Sequence, residues 1–174
     1  GRVSCGEAQD ILDLPGPCGA YDTACSASLV AGHASIRALR GHECGVALLC
    51  GVHTMLVPAV SLLYAAGQIT SARGHSFVFD QRADGFGRGE SCGSCLLEAG
   101  TCLTSACIAG AAVRQDGRSA SLTAPNGQAQ RSLLYAADVD ASMHRPCLNE
   151  LHGTGTKLGD PIEAGSLMAA STSA

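Results

Sequence analysis

The chain has 174 residues, enough for a core of its own. At 46% hydrophobic and 15% charged residues it reads as globular and interior-rich, which argues against disorder. A net charge of −4, 3% aromatic residues and no tryptophan set aside a nucleic-acid binder with a basic stripe or stacking rings. No apolar run approaches the roughly 20 residues of a membrane span.

Residues 5–14 carry no strong pattern, and Pro15-Gly16-Pro17 marks a turn. Residues 18–24 are expected to form a short strand that enters a tight turn at Cys25. A helix over residues 25–40 follows, capped by Asp22 or Thr23. Residues 26–39 are small and apolar almost all round, so this helix is expected to be buried. Arg37 and Arg40 fall in its last turn, and Gly41 can close it in the left-handed conformation. Residues 45–51 form a continuous apolar run, the pattern of a strand buried on both faces of a parallel sheet.

Pro58 starts a short helix that runs through Leu62, Leu63 and Ala66 and stops at Gly67. Residues 68–92 form a long, polar, Gly-rich loop of mixed charge, and long ordered loops in compact domains are often functional. Strand-like runs return at 93–98 and 106–113. Gln115-Asp116-Gly117-Arg118 and Ala124-Pro125-Asn126-Gly127 are turn clusters. A helix over 128–137, a short strand over 147–151, a Gly/Thr loop from His152 to Pro161 and a helix over 162–170 complete the chain. Strand and helix alternate, which predicts an α/β layered fold.

Ten cysteines invite a disulfide framework, but residues 1–20 lack the apolar core of a secretory signal. Most cysteines lie in apolar runs, as in Cys44-Gly-Val-Ala-Leu-Leu-Cys50. They are read as free buried thiols in a reducing, cytoplasmic setting. With no initial Met and an unclosed Ala-Ala-Ser-Thr-Ser-Ala end, the sequence is expected to be an internal fragment.

Cys25 is the first candidate for chemistry. A thiol in the first turn of a helix faces the positive end of its dipole, which favours the thiolate. The competing reading is a small buried hydrophobe, the commoner fate of a free cysteine. His152 is the second. A histidine at a strand end, beside backbone that glycine leaves open, can donate to a developing oxyanion, although alone it is an ordinary loop histidine. The Thr154 and Thr156 hydroxyls can bind a substrate amide, although alone they are turn residues.

Cys92-Gly-Ser-Cys95 has a spacing used by zinc sites, but residues three apart on a strand point to opposite faces, so no metal site is expected. A redox pair lacks its βαβ surroundings. Gly85-Phe-Gly87-Arg-Gly89 misses the dinucleotide fingerprint, and residues 153–159 are not a phosphate loop. His33, inside the predicted buried helix, is read as a structural, hydrogen-bonded histidine.

Three motifs now stand in order. Asp22-Thr23-Ala24-Cys25-Ser26-Ala27-Ser28-Leu29-Val30-Ala31 resembles the nucleophile motif of β-ketoacyl synthase domains in modular polyketide synthases. Phe79-Asp80-Gln81-Arg82-Ala83-Asp84-Gly85-Phe86-Gly87-Arg88-Gly89-Glu90 is similar to their Phe-Asp…Ala-Asp-Gly…Arg-Gly-Glu loop. Glu150-Leu151-His152-Gly153-Thr154-Gly155-Thr156-Lys157-Leu158-Gly159-Asp160-Pro161-Ile162-Glu163-Ala164 resembles their first catalytic-histidine motif. Gln115-Asp116-Gly117-Arg118 and Leu122-Thr123-Ala124-Pro125-Asn126-Gly127 match a further segment between them, and the resemblance runs over residues 1–168.

The resemblance implies a thiolase-like fold of α-β-α-β-α layers, here incomplete. Residues 1–98 would belong to the N-terminal, nucleophile half and residues 99–174 would begin the C-terminal half. It implies decarboxylative Claisen condensation of acyl thioesters on an acyl carrier protein, in polyketide or fatty acid synthesis, by a homodimer. Cys25 would carry the acyl chain, and His152 would help decarboxylate the extender and stabilise the enolate. Thr154 and Thr156 would hold the pantetheine arm, while Asp160 and Glu163 support the site from behind. No bound cofactor is required beyond the phosphopantetheine of the substrates.

The sequence also departs from the family. The second catalytic histidine in an Asn-Ile-Gly-His segment, the lysine before it and the Gly-Phe-Gly loop have no counterpart here, so the fragment alone is expected to be inactive. Ser91 replaces a usual glycine, the link over 97–113 is shortened, and residues 5–12 are expanded. Two other functions stand as alternatives. A thioester hydrolase with Cys25 and His152 would release free acid, and a non-catalytic chain-length partner would usually lack the nucleophile.

Overall fold

A computed structural model describes residues 5–100, 106–121, 124–137 and 148–172. Cys102, Leu122, Thr123, His144 and Cys147 lie outside the described residues. The chain divides into two compact units, one within residues 1–53 and 91–108, the other within 54–90 and 109–174.

The first unit opens with helix α1, Cys5–Ile11, where no element is predicted. Its Glu, Ala and Gln are good helix formers, but seven residues are too few to show a face in the sequence. Residues 18–23 form no strand. The turn at Cys25 is a 3-10 turn, Ala24–Ser26, and helix α2 is Ala27–Arg40. Neither start carries a side-chain cap. Thr23 Oγ1 instead lies 2.9 Å from Ser26 Oγ, which donates to the Thr23 carbonyl at 3.1 Å, so these hydroxyls close the turn on itself.

The end of α2 corrects a second expectation. Gly41 stays right-handed at φ −81, and the left-handed position is His42 at φ 58. His42 donates to the Leu39 carbonyl at 3.2 Å and Glu43 to the Ala38 carbonyl at 2.9 Å. This paired closure places its left-handed residue one position past the cap.

Strands β1, Val46–His53, and β2, Ser91–Glu98, pair antiparallel, with Leu49 opposite Cys95 and Gly51 opposite Gly93. The parallel sheet expected for β1 is therefore not its arrangement here. Helix α2 lies on the face carrying Leu49 and Gly51. A Cβ on Gly32 would stand 3.4 Å from Leu49 Cδ2, and one on Gly51 would stand 2.6 Å from Ser28 Oγ. The opposite face is open: Val46, Leu48, Val52 and Leu96 are exposed. The strand is thus covered on one face, not two, and α2 buries only Gly32 and Leu39, with Leu29 78% exposed. Cysteines on the open face, Cys50 and Cys92, are exposed for the same reason. Cys18, Cys25, Cys95 and Cys107 are exposed too and Cys44 is half-buried, so these thiols are not the buried ones expected.

In the second unit helix α3 is Pro58–Ala66, opened by Pro58 and closed at Gly67, as the sequence predicts. Residues 68–90 are an organised loop with one parallel bridge between Thr70 and Phe86. Residues 106–113 and 148–151 form no strand. A strand exists only where its backbone groups pair in a ladder with a neighbour, and among the described residues the paired strands are β1 and β2. Helix α4, Gly127–Ala137, is capped by Asn126, whose Oδ1 accepts the Gln128 and Ala129 amides at 3.1 and 3.2 Å. Helix α5, Gly159–Thr172, begins before the predicted 162 because Thr156 Oγ1 accepts the Gly159 amide at 3.0 Å. Ser166, 5% exposed, joins the two helices by donating to the Gly127 carbonyl. No described helix is long and apolar enough to cross a membrane.

Candidate active site

Cys25 is exposed at the middle of the 3-10 turn, one position before Ser26, the cap residue of α2. It stands just outside the helix mouth and not in the first α-helical turn. Ala24 before it takes φ 56, a left-handed conformation that an L-residue adopts only when its surroundings impose it.

The other five predicted residues come together in the second unit. Between α4 and α5 the chain passes through a loop, residues 152–156, whose backbone is held by two carboxylates of α5. The carboxylate of Glu163 accepts the main-chain amides of His152 and of Gly153, the latter at 2.9 Å. Asp160, 3% exposed, accepts the amides of Gly155 at 3.1 Å and Thr156 at 3.3 Å through Oδ1. A buried carboxylate is tolerable only when its lone pairs are used, and here amide dipoles use them. The Thr154 and Thr156 hydroxyls lie 3.0 Å apart, and the His152 side of the loop is exposed. Gly153 and Gly155 take φ 56 and 66, which leaves the loop without side chains on the inner curve.

Sequence reasoning missed what the loop rests on. Asp160 Oδ2 accepts the Phe79 amide at 2.8 Å, and the Gly155 carbonyl accepts the Gly85 amide at 3.0 Å. The 77–86 loop is thus a seat for the 152–156 loop. It is stiffened by its own charges: Arg82 grips Asp80 in a fork at 3.0 and 2.8 Å, and Arg73 pairs with Asp84 at 3.0 Å. The Arg73 and Arg82 guanidinium groups lie over the Phe77 ring, at 4.6 and 4.5 Å from its centre. The hydrogen bond from the Arg82 side chain, with one from its amide, lowers the Asp80 pKa to about 2. The Ser71 hydroxyl and the Arg73 guanidinium hold Asp84 below the usual carboxylate range. The acid–base pattern of residues 80–84 signals such pairing in the sequence, but the main-chain bonds to residues 155 and 160 leave no trace in side-chain chemistry.

Cys92 and Cys95 fall on opposite faces of β2, and among the described residues no three His, Cys, Asp or Glu are grouped to hold a metal. His33 is not the hydrogen-bonded histidine expected. Its Nδ1 is buried and has no hydrogen-bond partner among the described residues, and the helical turn before it, Leu29 to Gly32, offers no polar side chain.

The comparisons with known proteins agree with the motifs. The profile of the family "Beta-ketoacyl synthase, N-terminal domain" matches residues 2–101, and that of "Beta-ketoacyl synthase, C-terminal domain" matches residues 105–174. The chain is 46% identical over 164 residues to a phenolphthiocerol/phthiocerol polyketide synthase of Mycobacterium tuberculosis, covering 90% of this chain and 9% of that protein. It is 41% identical over 175 residues to a pikromycin polyketide synthase component of Streptomyces venezuelae, covering 96% of this chain and 5% of that one. The chain thus spans only a small part of these relatives. Among solved structures, the ketosynthase from module 6 of the bacillaene synthase of Bacillus subtilis 168 superposes with a TM-score of 0.88 at 33% identity, over 97% of this chain and 32% of that one. The oxazolomycin ketosynthase domain of Streptomyces albus JA3453 gives 0.89 at 33% identity, over 95% and 30%. The alternating helices and strands are part of the thiolase-like ketosynthase fold, and the chain belongs to the β-ketoacyl synthase family, in the form found as ketosynthase domains of modular polyketide synthases.

Proposed function

We propose that this chain is the portion of a condensing enzyme that carries its nucleophile and its first histidine. Residues 1–98 supply the nucleophile half and residues 99–174 begin the second half. The observation that carries the reading is Cys25 itself: an exposed thiol set at a left-handed turn before α2, in a chain of the ketosynthase family. The substrates are acyl and malonyl-type thioesters on the phosphopantetheine of an acyl carrier protein. The assembly is a cytoplasmic homodimer.

The chemistry follows from the residues. The Cys25 sulfur adds to the incoming thioester carbonyl, and the pantetheine thiol leaves with the proton; one thioester replaces another, so the exchange is nearly balanced. The malonyl-type thioester then loses carbon dioxide, and the electrons of the broken C–C bond pass into an enolate. His152 donates to the enolate oxygen, where preorganised donors do the most good. The enolate carbon adds to the Cys25 thioester, a C–C bond forms, and the Cys25 thiolate departs. Thr154 and Thr156 hold the pantetheine arm, and Asp160 and Glu163 keep the histidine loop in place.

The test uses a complete ketosynthase carrying this sequence. Incubation with an acyl-thioester probe, followed by intact-protein mass spectrometry, is expected to show one acyl group on Cys25 and none on Cys25→Ala. Normal labelling of the Cys25→Ala protein, or release of free acid without chain extension, overturns the proposal.

A further inference from the structure

Phe79 has a left-handed backbone, φ 54, which a bulky L-residue adopts only under constraint. Its side chain does not supply the constraint, because the residue is 52% exposed. Its amide does. In this conformation the N–H meets Asp160 Oδ2 at 2.8 Å, while Asp160 Oδ1 holds the Gly155 and Thr156 amides. One buried carboxylate therefore bolts the 77–86 loop to the histidine loop. The Gly85 amide on the Gly155 carbonyl is a second bolt, and a Cβ on Gly155 would stand only 3.0 Å from the Phe77 nitrogen. Backbone strain that is over-determined in this way points to a positional duty.

We infer that Phe79 is a positioning residue of the condensation. It acts through its main chain and Asp160 to fix residues 152–156, and its ring takes no part. The inference rests on the function proposed above. It makes the loop of residues 77–86 a working component of the decarboxylation step and gives it no share in the acylation of Cys25.

Two variants in a complete ketosynthase carrying this sequence separate backbone from ring. Phe79→Gly keeps the N–H and accepts the left-handed conformation freely, whereas Phe79→Val keeps the N–H and resists that conformation. Decarboxylation of malonyl carrier protein is expected to stay within about twofold in Phe79→Gly. In Phe79→Val it is expected to fall about 10- to 100-fold, the cost of a small misplacement, with Cys25 acylation unchanged. Hydrogen exchange at the Gly155 and Thr156 amides is expected to quicken in Phe79→Val alone. Equal losses in both variants, parallel loss of acylation, or unchanged amide exchange overturns the inference. Absence of acylation at Cys25 in the parent instead overturns the proposed function, while the exchange measurement still decides the brace.

Discussion

Glu163 on α5 takes the main-chain amide of His152 into its carboxylate, and the neighbouring Gly153 amide into the other oxygen at 2.9 Å. The backbone that carries His152 is therefore held from behind, by a carboxylate of α5. Glu163→Gln should separate the two half-reactions. A carboxamide offers one acceptor oxygen and turns its NH2 toward the second amide, so one charge-assisted bond becomes a clash of donors. Such a bond is worth about 1.5–3 kcal/mol, and each 1.4 kcal/mol is about tenfold in rate. In a complete ketosynthase carrying this sequence, the function proposed above predicts that carbon dioxide release from a malonyl thioester drops about tenfold or more while acylation of Cys25 proceeds normally. An equal fall in both steps would mean that Glu163 acts only on overall stability.

The inner curve of the histidine loop gives a second, purely conformational prediction. Gly155 has φ 66, and a Cβ there would meet the Phe77 nitrogen at 3.0 Å and the Gly85 carbonyl at 3.1 Å. Gly155→Ala should destabilise by about 1–3 kcal/mol. Gly165 lies inside α5, and among the described residues nothing stands within 4 Å of a Cβ there. Gly165→Ala should stabilise by about 0.5–1 kcal/mol, because alanine loses less backbone entropy in a helix. Thermal unfolding of the two variants should shift in opposite directions. A shift of Gly155→Ala to higher temperature would show that the loop tolerates a side chain there.

Which elements are legible in the sequence has a physical explanation. Helix α3 is legible because both its boundaries are written in backbone chemistry, Pro58 at the start and Gly67 at the stop. Helix α4 is legible by position, but the sequence marks Asn126 as a turn residue and not as the cap it forms. The sheet is not legible. Leu48 and Leu49 are alike as residues, yet one faces open space and the other α2, because residues outside a strand decide what covers it. The pairing direction of β1 is likewise set by a partner more than forty positions away, Leu49 opposite Cys95. At the candidate site the side chains proposed to do chemistry are marked in the sequence by the motifs that carry the family resemblance. The seat beneath them is made of amide-to-carboxylate bonds such as Phe79 to Asp160, and a main-chain amide is the same at every non-proline position.

The Asp80–Arg82 fork yields a prediction in pH. The Arg82 guanidinium, aided by the Arg82 amide, lowers the Asp80 pKa from its ordinary 3.8 to about 2. A carboxyl whose pKa is depressed on folding releases its proton more readily in the folded state. Its contribution to stability is therefore complete above the ordinary value and is lost as pH falls from there through about 2. The pair is well exposed, so salt should weaken it and its share of stability should be small. Arg82→Ala removes the fork and keeps the amide bond, so the Asp80 midpoint should rise toward 3.8 without reaching it. Carbon-detected NMR titration of the Asp80 carboxyl measures this directly. A midpoint that stays near 2 in Arg82→Ala would assign the effect to the amide and not to the guanidinium, and the loop of residues 77–86 would then be stiffened by its backbone alone.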